Sequence, residues 1–419
     1  MCLVRHVLAA LAALLLLPVG LVVLLLRPRL FTGLGERLGA RPAQAPGGVW
    51  VHAAALGELR AASPLIERLR ASGRRVCTSA SNLDGREVMR RRQPQLPCHL
   101  APLDHPWCVA LALARAAPAA LVLVETELWP CWIAAARRRG VPVVLVSGRL
   151  SDRSFPRYRR VRAWLAPTFA RLVAVGARSE CDAERFRALG TPAERVSVIG
   201  DLKLDCAEPL PLPPPDLAER LAASAYWVAG STHSGEESLL LDAFDRLEDD
   251  GLASALVLAP RHPSRAGEVR RLVRRRGRRA RLRSRLEGPP LGPGEVLVLD
   301  TLGELASLYR GARVVFVGGS LVPIGGHDVL EPARAGRPVL FGPHIANTRE
   351  SAEILVGVGA GREVHDARSL GDALCALLEA PERADALGES GRMALLAHHG
   401  SAARAQQLVE AVLDAAPAA

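Results

Sequence analysis

Aromatic residues are scarce in this chain: seven Phe, six Trp and three Tyr make up 4% of its 419 residues. The basic runs Arg274-Arg275-Arg276 and Arg278-Arg279 have no aromatics interleaved with them. Single-stranded nucleic-acid binders stack bases on such aromatics, so the runs read as a solvated helix face. Cysteine is present but unorganised. The eight residues at 2, 77, 98, 108, 131, 181, 206 and 375 contain no C-x-x-C pair, which excludes the usual zinc spacings and a disulfide framework. They read as reduced thiols of a protein facing the cytosol. Neither G-x-G-x-x-G nor G-x-x-x-x-G-K-[ST] occurs, so the dinucleotide and P-loop fingerprints are absent. There is no short-period repeat.

What is there is a globular composition, 49% hydrophobic and 23% charged, in a chain too long for one ordinary core. Two domains are expected. The net charge of +11 and the pI near 10.0 point to acidic partners such as nucleic acid, anionic lipid or a phosphorylated substrate, or to a solubilising surface.

Residues 7–26, VLAALAALLLLPVGLVVLLL, form an uncharged apolar run long enough to cross a bilayer. A signal peptide is the rival reading, but Arg27-Pro28-Arg29 follows where a small-residue cleavage site would stand. A retained single-span anchor is expected. Arg5 precedes the run and Arg27, Arg29, Arg37 and Arg41 follow it, which places the body of the protein on the cytoplasmic face.

Beyond residue 48 strand-like and helix-like segments alternate. Strands are expected at 49–54, 75–79, 121–125, 142–147, 171–175 and 196–199. The stretch LPLPPPD, 210–216, reads as a stiff linker. After it the alternation restarts, with strands at 226–230, 255–259, 296–299, 313–318 and 338–341. Such blocks predict two Rossmann-like, doubly wound α/β domains facing a cleft: 31–209 and 218–419, behind the anchor at 1–30 and joined by a linker at 210–217. The last helices are expected to pack back on the first domain. Ligands of these sheets sit outside the carboxyl ends of strands.

The residues after the strands are the informative ones. HAAALGE (52–58) delivers Glu58 after the first strand, at a helix start that favours its anion, as a general base requires; a plain acidic residue in a first helical turn is the alternative. LVLVETELWP (121–130) delivers Glu125 and Glu127 together. GSTHSGEE (230–237) offers Ser231, Thr232 and His233 before a helix, suited to a phosphate or to simple capping. APRHPSR (259–265) offers Pro260 and Arg261 with His262 and Arg265, and guanidinium groups can neutralise phosphate. GGSLVPIGGHDVLEP (318–332) has two Gly-Gly pairs, which let backbone approach a ligand closely, and then His327, Asp328 and Glu331.

HAAALGE, VETELWP, SGRLSDRS, GDLKLD, GSTHSGEE, APRHPSR, DTLGEL and GGSLVPIGGHDVLEP, in this order, resemble the 3-deoxy-D-manno-octulosonic acid (Kdo) transferases of lipopolysaccharide assembly. The resemblance runs from the anchor to about residue 400. It implies a GT-B fold, CMP-Kdo as donor, a phosphorylated lipid A precursor as acceptor, and an inverting transfer with no metal or other cofactor. It implies Glu58 as general base, with Glu125 and Lys203 stabilising the transition state. Pro260, Arg261, Leu302, Gly303, Glu304, Asp328, Val329, Leu330 and Glu331 would hold CMP, with Ser231, Thr232, His233, Gly319, Ser320, Gly326 and His327 as further donor-site candidates. Arg149, Arg153 and Arg157 in the basic stretch 149–162 would meet the anionic lipid acceptor at the bacterial inner membrane. Three positions depart from the family pattern: Asp328 stands where Asn is usual, SASNLDG (79–85) replaces a Thr-Pro-Thr-Gly-like loop, and Thr348 replaces Phe. The alternatives are another GT-B transferase with a different nucleotide sugar, or a non-catalytic membrane-tethered binding protein on this fold.

Overall fold

Parallel strands buried on both faces need uninterrupted apolar runs, and the chain supplies them as VWV, ALVLV, YWVA and ALVLA. The computed structural model describes residues 32–41, 45–126, 128–152, 154–206, 210–222, 224–252 and 254–415. The expected anchor, Glu127 and Arg153 lie outside the described residues. The chain divides into two units. One runs to residue 207 and takes up the chain again from residue 399; the other spans 208–398.

The first unit holds seven parallel strands: β1 (Val49–His52), β2 (Val76–Ala80), β3 (Cys98–Leu100), β4 (Ala120–Val124), β5 (Val143–Gly148), β6 (Ala174–Ala177) and β7 (Val196–Val198). Their spatial order is β3-β2-β1-β4-β5-β6-β7, which reverses direction between β1 and β4. The helix Leu56–Ala71 follows β1, running without a break through Pro64. It buries Leu59, Leu65, Ile66 and Leu69 completely, each contributing about 1.5–3 kcal/mol. On the same side of the sheet lies the last helix, Ser401–Asp414, through Ala402, Ala405 and Val409. The opposite side is covered by the helices Pro106–Ala116, Pro130–Arg138 and Arg162–Phe169.

The second unit also holds seven parallel strands: β8 (Tyr226–Thr232), β9 (Ala255–Pro260), β10 (Ala280–Leu282), β11 (Val296–Val298), β12 (Val315–Val317), β13 (Val339–Phe341) and β14 (Gly361–Glu363). Their order is β10-β11-β9-β8-β12-β13-β14, with its reversal between β8 and β12. The expected linker is shorter than its prolines suggest. Pro215 starts a helix, Pro215–Leu221, at a first-turn position where a missing N–H is harmless.

Candidate active site

In the first unit, β1 pairs with β4 so that His52 lies opposite Leu123. The two strands therefore end side by side, within one residue of each other, at the point where ligands bind in such folds. Glu125 follows β4 in the left-handed region at φ 60°. Its backbone N–H still donates to the Val146 carbonyl at 2.9 Å. The hydroxyl of Thr126 donates to the Arg149 carbonyl, and Asp104 caps the following helix by accepting from Cys131 and Trp132 N–H at 3.0 and 3.2 Å. Held this way, Glu125 meets Lys203 Nζ at 2.7 Å. Burial pushes the Lys203 ammonium pKa down, but the Glu125 and Asp201 carboxylates outweigh it and hold the pKa above its ordinary value.

Lys203 belongs to GDLKLD, in which alternate residues divide the labour. Leu202 and Leu204 are buried, while each polar residue makes a different tie. Asp201 pairs with Arg178 at 3.1 Å and accepts from Lys203 N–H at 2.9 Å. Both members of the Asp201–Arg178 pair are buried, a charge pair spacing and composition did not reveal. Ser147, also left-handed at φ 52°, donates to Asp201 and accepts from Leu202 N–H. Asp205 caps the last helix, accepting from Gly400 N–H at 2.8 Å and Ala402 N–H at 2.6 Å.

Glu58 is half-buried, and its carboxylate accepts from the N–H groups of Ala54 at 2.7 Å and Ala55 at 3.4 Å. This is the return half of a capping box; Ala55, at the N-cap, has no side-chain acceptor to supply the other half. The first-turn capping role is thus present, and it holds the carboxylate against the backbone just past β1, the strand paired with β4. Arg149 lies half-buried after β5, and Arg157 is exposed on the short helix Phe155–Arg160.

In the second unit, β11, β9, β8 and β12 are consecutive neighbours. Leu302–Glu304, Pro260–Arg261, Ser231–His233 and Gly319–Glu331 lie at or past the carboxyl ends of these four strands in turn, so the sheet gathers the donor-site candidates along one edge. Arg261 N–H donates to the Thr232 carbonyl at 2.9 Å, and Arg261 itself is exposed. Leu302 stands at an exposed loop tip beside Gly303 at φ 86°. Glu304 is committed inward: Arg283 donates to it at 2.8 and 3.1 Å, and the Thr301 hydroxyl also donates to it. Asp328 accepts from Leu330 N–H at 2.8 Å at the start of the helix Leu330–Arg334. An Asn side-chain oxygen makes the same cap, which explains how Asp stands at this position. Val329 and Leu330 are buried and Glu331 is half-buried.

The most consequential residue of this unit was not singled out from the sequence. Glu236 is fully buried. It accepts from four backbone N–H groups: His233 at 2.8 Å, Gly319 at 2.8 Å, Ser320 at 3.0 Å and Leu321 at 2.9 Å. The N–H groups of Gly319 and Ser320 are therefore spent on an internal carboxylate. Gly325 and Gly326 N–H close the turn onto the Gly319 carbonyl at 3.1 and 2.7 Å. Glu237, beside it, takes Arg265 through both oxygens at 2.7 and 3.2 Å, and Thr232 at 3.0 Å. Ser231 is left-handed at φ 56°. Among the described residues four non-glycines are left-handed, and Glu125, Ser147 and Ser231, all at strand ends of these two sites, are three of them. Such backbone costs about 1–2 kcal/mol per residue and gathers at functional sites.

Two parallel sheets of this order, with charged and hydroxyl side chains past their carboxyl ends, define the GT-B class. The fold is shared with a glycosyltransferase from Rickettsia africae, at TM-score 0.62 and 11% identity, covering 88% of this chain and 99% of that one. It is shared also with a UDP-GlcNAc 2-epimerase from Neisseria meningitidis, at TM-score 0.59 and 13% identity, covering 87% and 99%. At these identities the likeness is one of fold. Sequence narrows it further. The family model described as 3-Deoxy-D-manno-octulosonic-acid transferase (kdotransferase) matches residues 32–206. The 3-deoxy-D-manno-octulosonic acid transferase of Bordetella pertussis is 35% identical over 393 residues, 89% of this chain and 90% of that protein. The Haemophilus influenzae transferase of the same name is 31% identical over 402 residues, 92% and 93%. The chain belongs to the 3-deoxy-D-manno-octulosonic acid transferases and is a glycosyltransferase.

Proposed function

We propose that the protein transfers Kdo from CMP-Kdo to a sugar hydroxyl of a phosphorylated lipid A precursor, releases CMP, and inverts the configuration at the transferred carbon. The observation that carries this reading is the 2.7 Å Glu125–Lys203 pair past the end of β4; Glu58 lies in the first turn of the helix that follows β1, the strand paired with β4. Glu58 takes the proton of the attacking hydroxyl as that oxygen bonds to the sugar carbon, and the bond from that carbon to the phosphate oxygen breaks. Direct attack of this kind inverts the centre. The transition state has a cation-like sugar and a leaving group gaining negative charge; Glu125 suits the former, Lys203 the latter. The residues gathered past β11, β9, β8 and β12 hold CMP.

The lipidic acceptor and an inner-membrane location, on the cytoplasmic face, fit two exposed apolar patches of the first unit. Trp107 is 60% exposed, on a helix whose outer stripe also carries Leu111. Trp164 is 78% exposed, with exposed Val161, Arg157, Arg159, Arg160 and Arg162 close in sequence. Aromatic and basic side chains presented together suit a membrane interface or an anionic lipid. The test is purified protein with CMP-Kdo and tetraacylated lipid A precursor, read by mass spectrometry. An acceptor heavier by one Kdo, with CMP released, is the expected result; an unmodified acceptor with folded enzyme would count against the reading.

A further inference from the structure

Where the chain leaves β8 and β12, two imidazoles face one another. His233 Nε2 lies 2.8 Å from His327 Nε2, the ring planes are 5° from parallel and the centroids are 5.1 Å apart. The pair sits over Gly319: a Cβ there would lie 3.0 Å from His327 Cδ2 and 3.4 Å from His233 Cδ2. His262 meets His233 edge-on at 6.2 Å. The three rings do not form a metal-holding group. We propose that the His233–His327 pair is the phosphate-binding element of this unit and takes up one proton when a nucleoside monophosphate binds. This rests on the nucleotide reading given above.

The geometry limits what the pair can hold. With both Nε2 atoms turned to each other, one proton lies between them, and a second proton on either Nε2 would break the bond. The pair is therefore neutral, or singly positive through a ring Nδ1. The surrounding charges decide which. Arg261, Arg265 and His262 face the pair as cations or potential cations, and Glu236 and Glu237 face His233. Both carboxylates are already engaged, Glu236 with four N–H groups and Glu237 with Arg265 and Thr232. Burial, followed by the neighbouring His233, Arg261 and His262, holds His327 down to about 4, and burial holds His233 below its ordinary value as well. At neutral pH the empty pair is uncharged.

A phosphate arriving here finds the N–H groups of Gly319, Ser320 and Leu321 filled by Glu236, so it must draw on side chains at the mouth. Its negative charge reverses the local balance and favours the imidazolium. Binding and protonation are then linked, each strengthening the other.

Calorimetry of CMP binding to the full-length protein, in buffers of different ionisation enthalpy, reads the proton count directly. About pH 7.5 is suitable, since a phosphate monoester with its second pKa near 6 is then mostly dianionic. The expected result is net proton uptake on binding CMP, none for cytidine, and uptake falling toward zero in His327→Asn with affinity weakened roughly tenfold. Equal uptake and equal affinity with inorganic phosphate would overturn the nucleotide assignment of the site. CMP binding by the wild-type protein with buffer-independent enthalpy would overturn the proposal while leaving the nucleotide reading intact. Failure of wild-type protein to bind CMP would remove that reading and this inference with it.

Discussion

Glu58 shows how one side chain can serve structure and chemistry together. Its carboxylate caps a helix through Ala54 and Ala55 N–H, and a Gln oxygen can accept the same bonds. Glu58→Gln should therefore fold with stability near wild type, bind CMP normally and lose transfer by 10²–10⁴-fold, the usual worth of a general base. Turnover within a few-fold of wild type would reassign the base. Lys203 makes a pH-dependent contribution. Its folded pKa lies above its unfolded value, near 10.4, so its stabilisation is fully present below about pH 10.4 and is lost as pH rises through the folded value. Urea midpoints followed into that alkaline range should fall for the wild type and flatten for Lys203→Met. At this scale the strand-end residues Glu58, Glu125 and Arg261 were legible, because each follows an apolar run. Their partners were not: Glu125 and Lys203 are far apart in the chain, and no local pattern announces a pair closed by topology.

Among the elements, the interior strands announced themselves as apolar runs, and the strands missed were β3, β10 and β14. All three are sheet edges of three residues. An edge strand is covered on fewer sides, so CHL, ARL and GRE carry polar residues and lack the continuous apolar signal of a central strand. The loop after β12 carries the glycines of a ligand-binding turn, and the N–H groups of Gly319, Ser320 and Leu321 in it close on Glu236, 83 to 85 positions earlier. Nothing in the spacing of GEE announces this tie. Glu236→Ala leaves four backbone N–H groups facing an apolar gap. At about 1–3 kcal/mol for each buried donor left without a partner, the second unit should melt well below wild type and lose CMP binding. A variant that melted normally and still bound CMP would show that water replaces the carboxylate.

At the level of the whole molecule, the first unit is built from two stretches of chain, one before and one after the second unit. The helix Ser401–Asp414 fills one side of the first sheet through Ala402, Ala405 and Val409, and Asp205 holds its start. Arg404 returns the tie by donating to the Ile199 carbonyl at 2.9 Å. A chain ending at His398 should keep a folded second unit, resistant to protease, while the first unit becomes susceptible. Equal resistance of both units would show that the last helix only decorates a finished core.

The Asp205 cap also sets an order of events during synthesis. Lys203 lies two residues before the carboxylate that grips the helix Ser401–Asp414, so the segment presenting it is not fully held until residues 400–402 arrive. The unit translated first is completed last, after the whole of the other unit has been made. The Glu125–Lys203 pair therefore gains this support only from chain made after the whole second unit, and a nascent chain stopped before residue 400 lacks it.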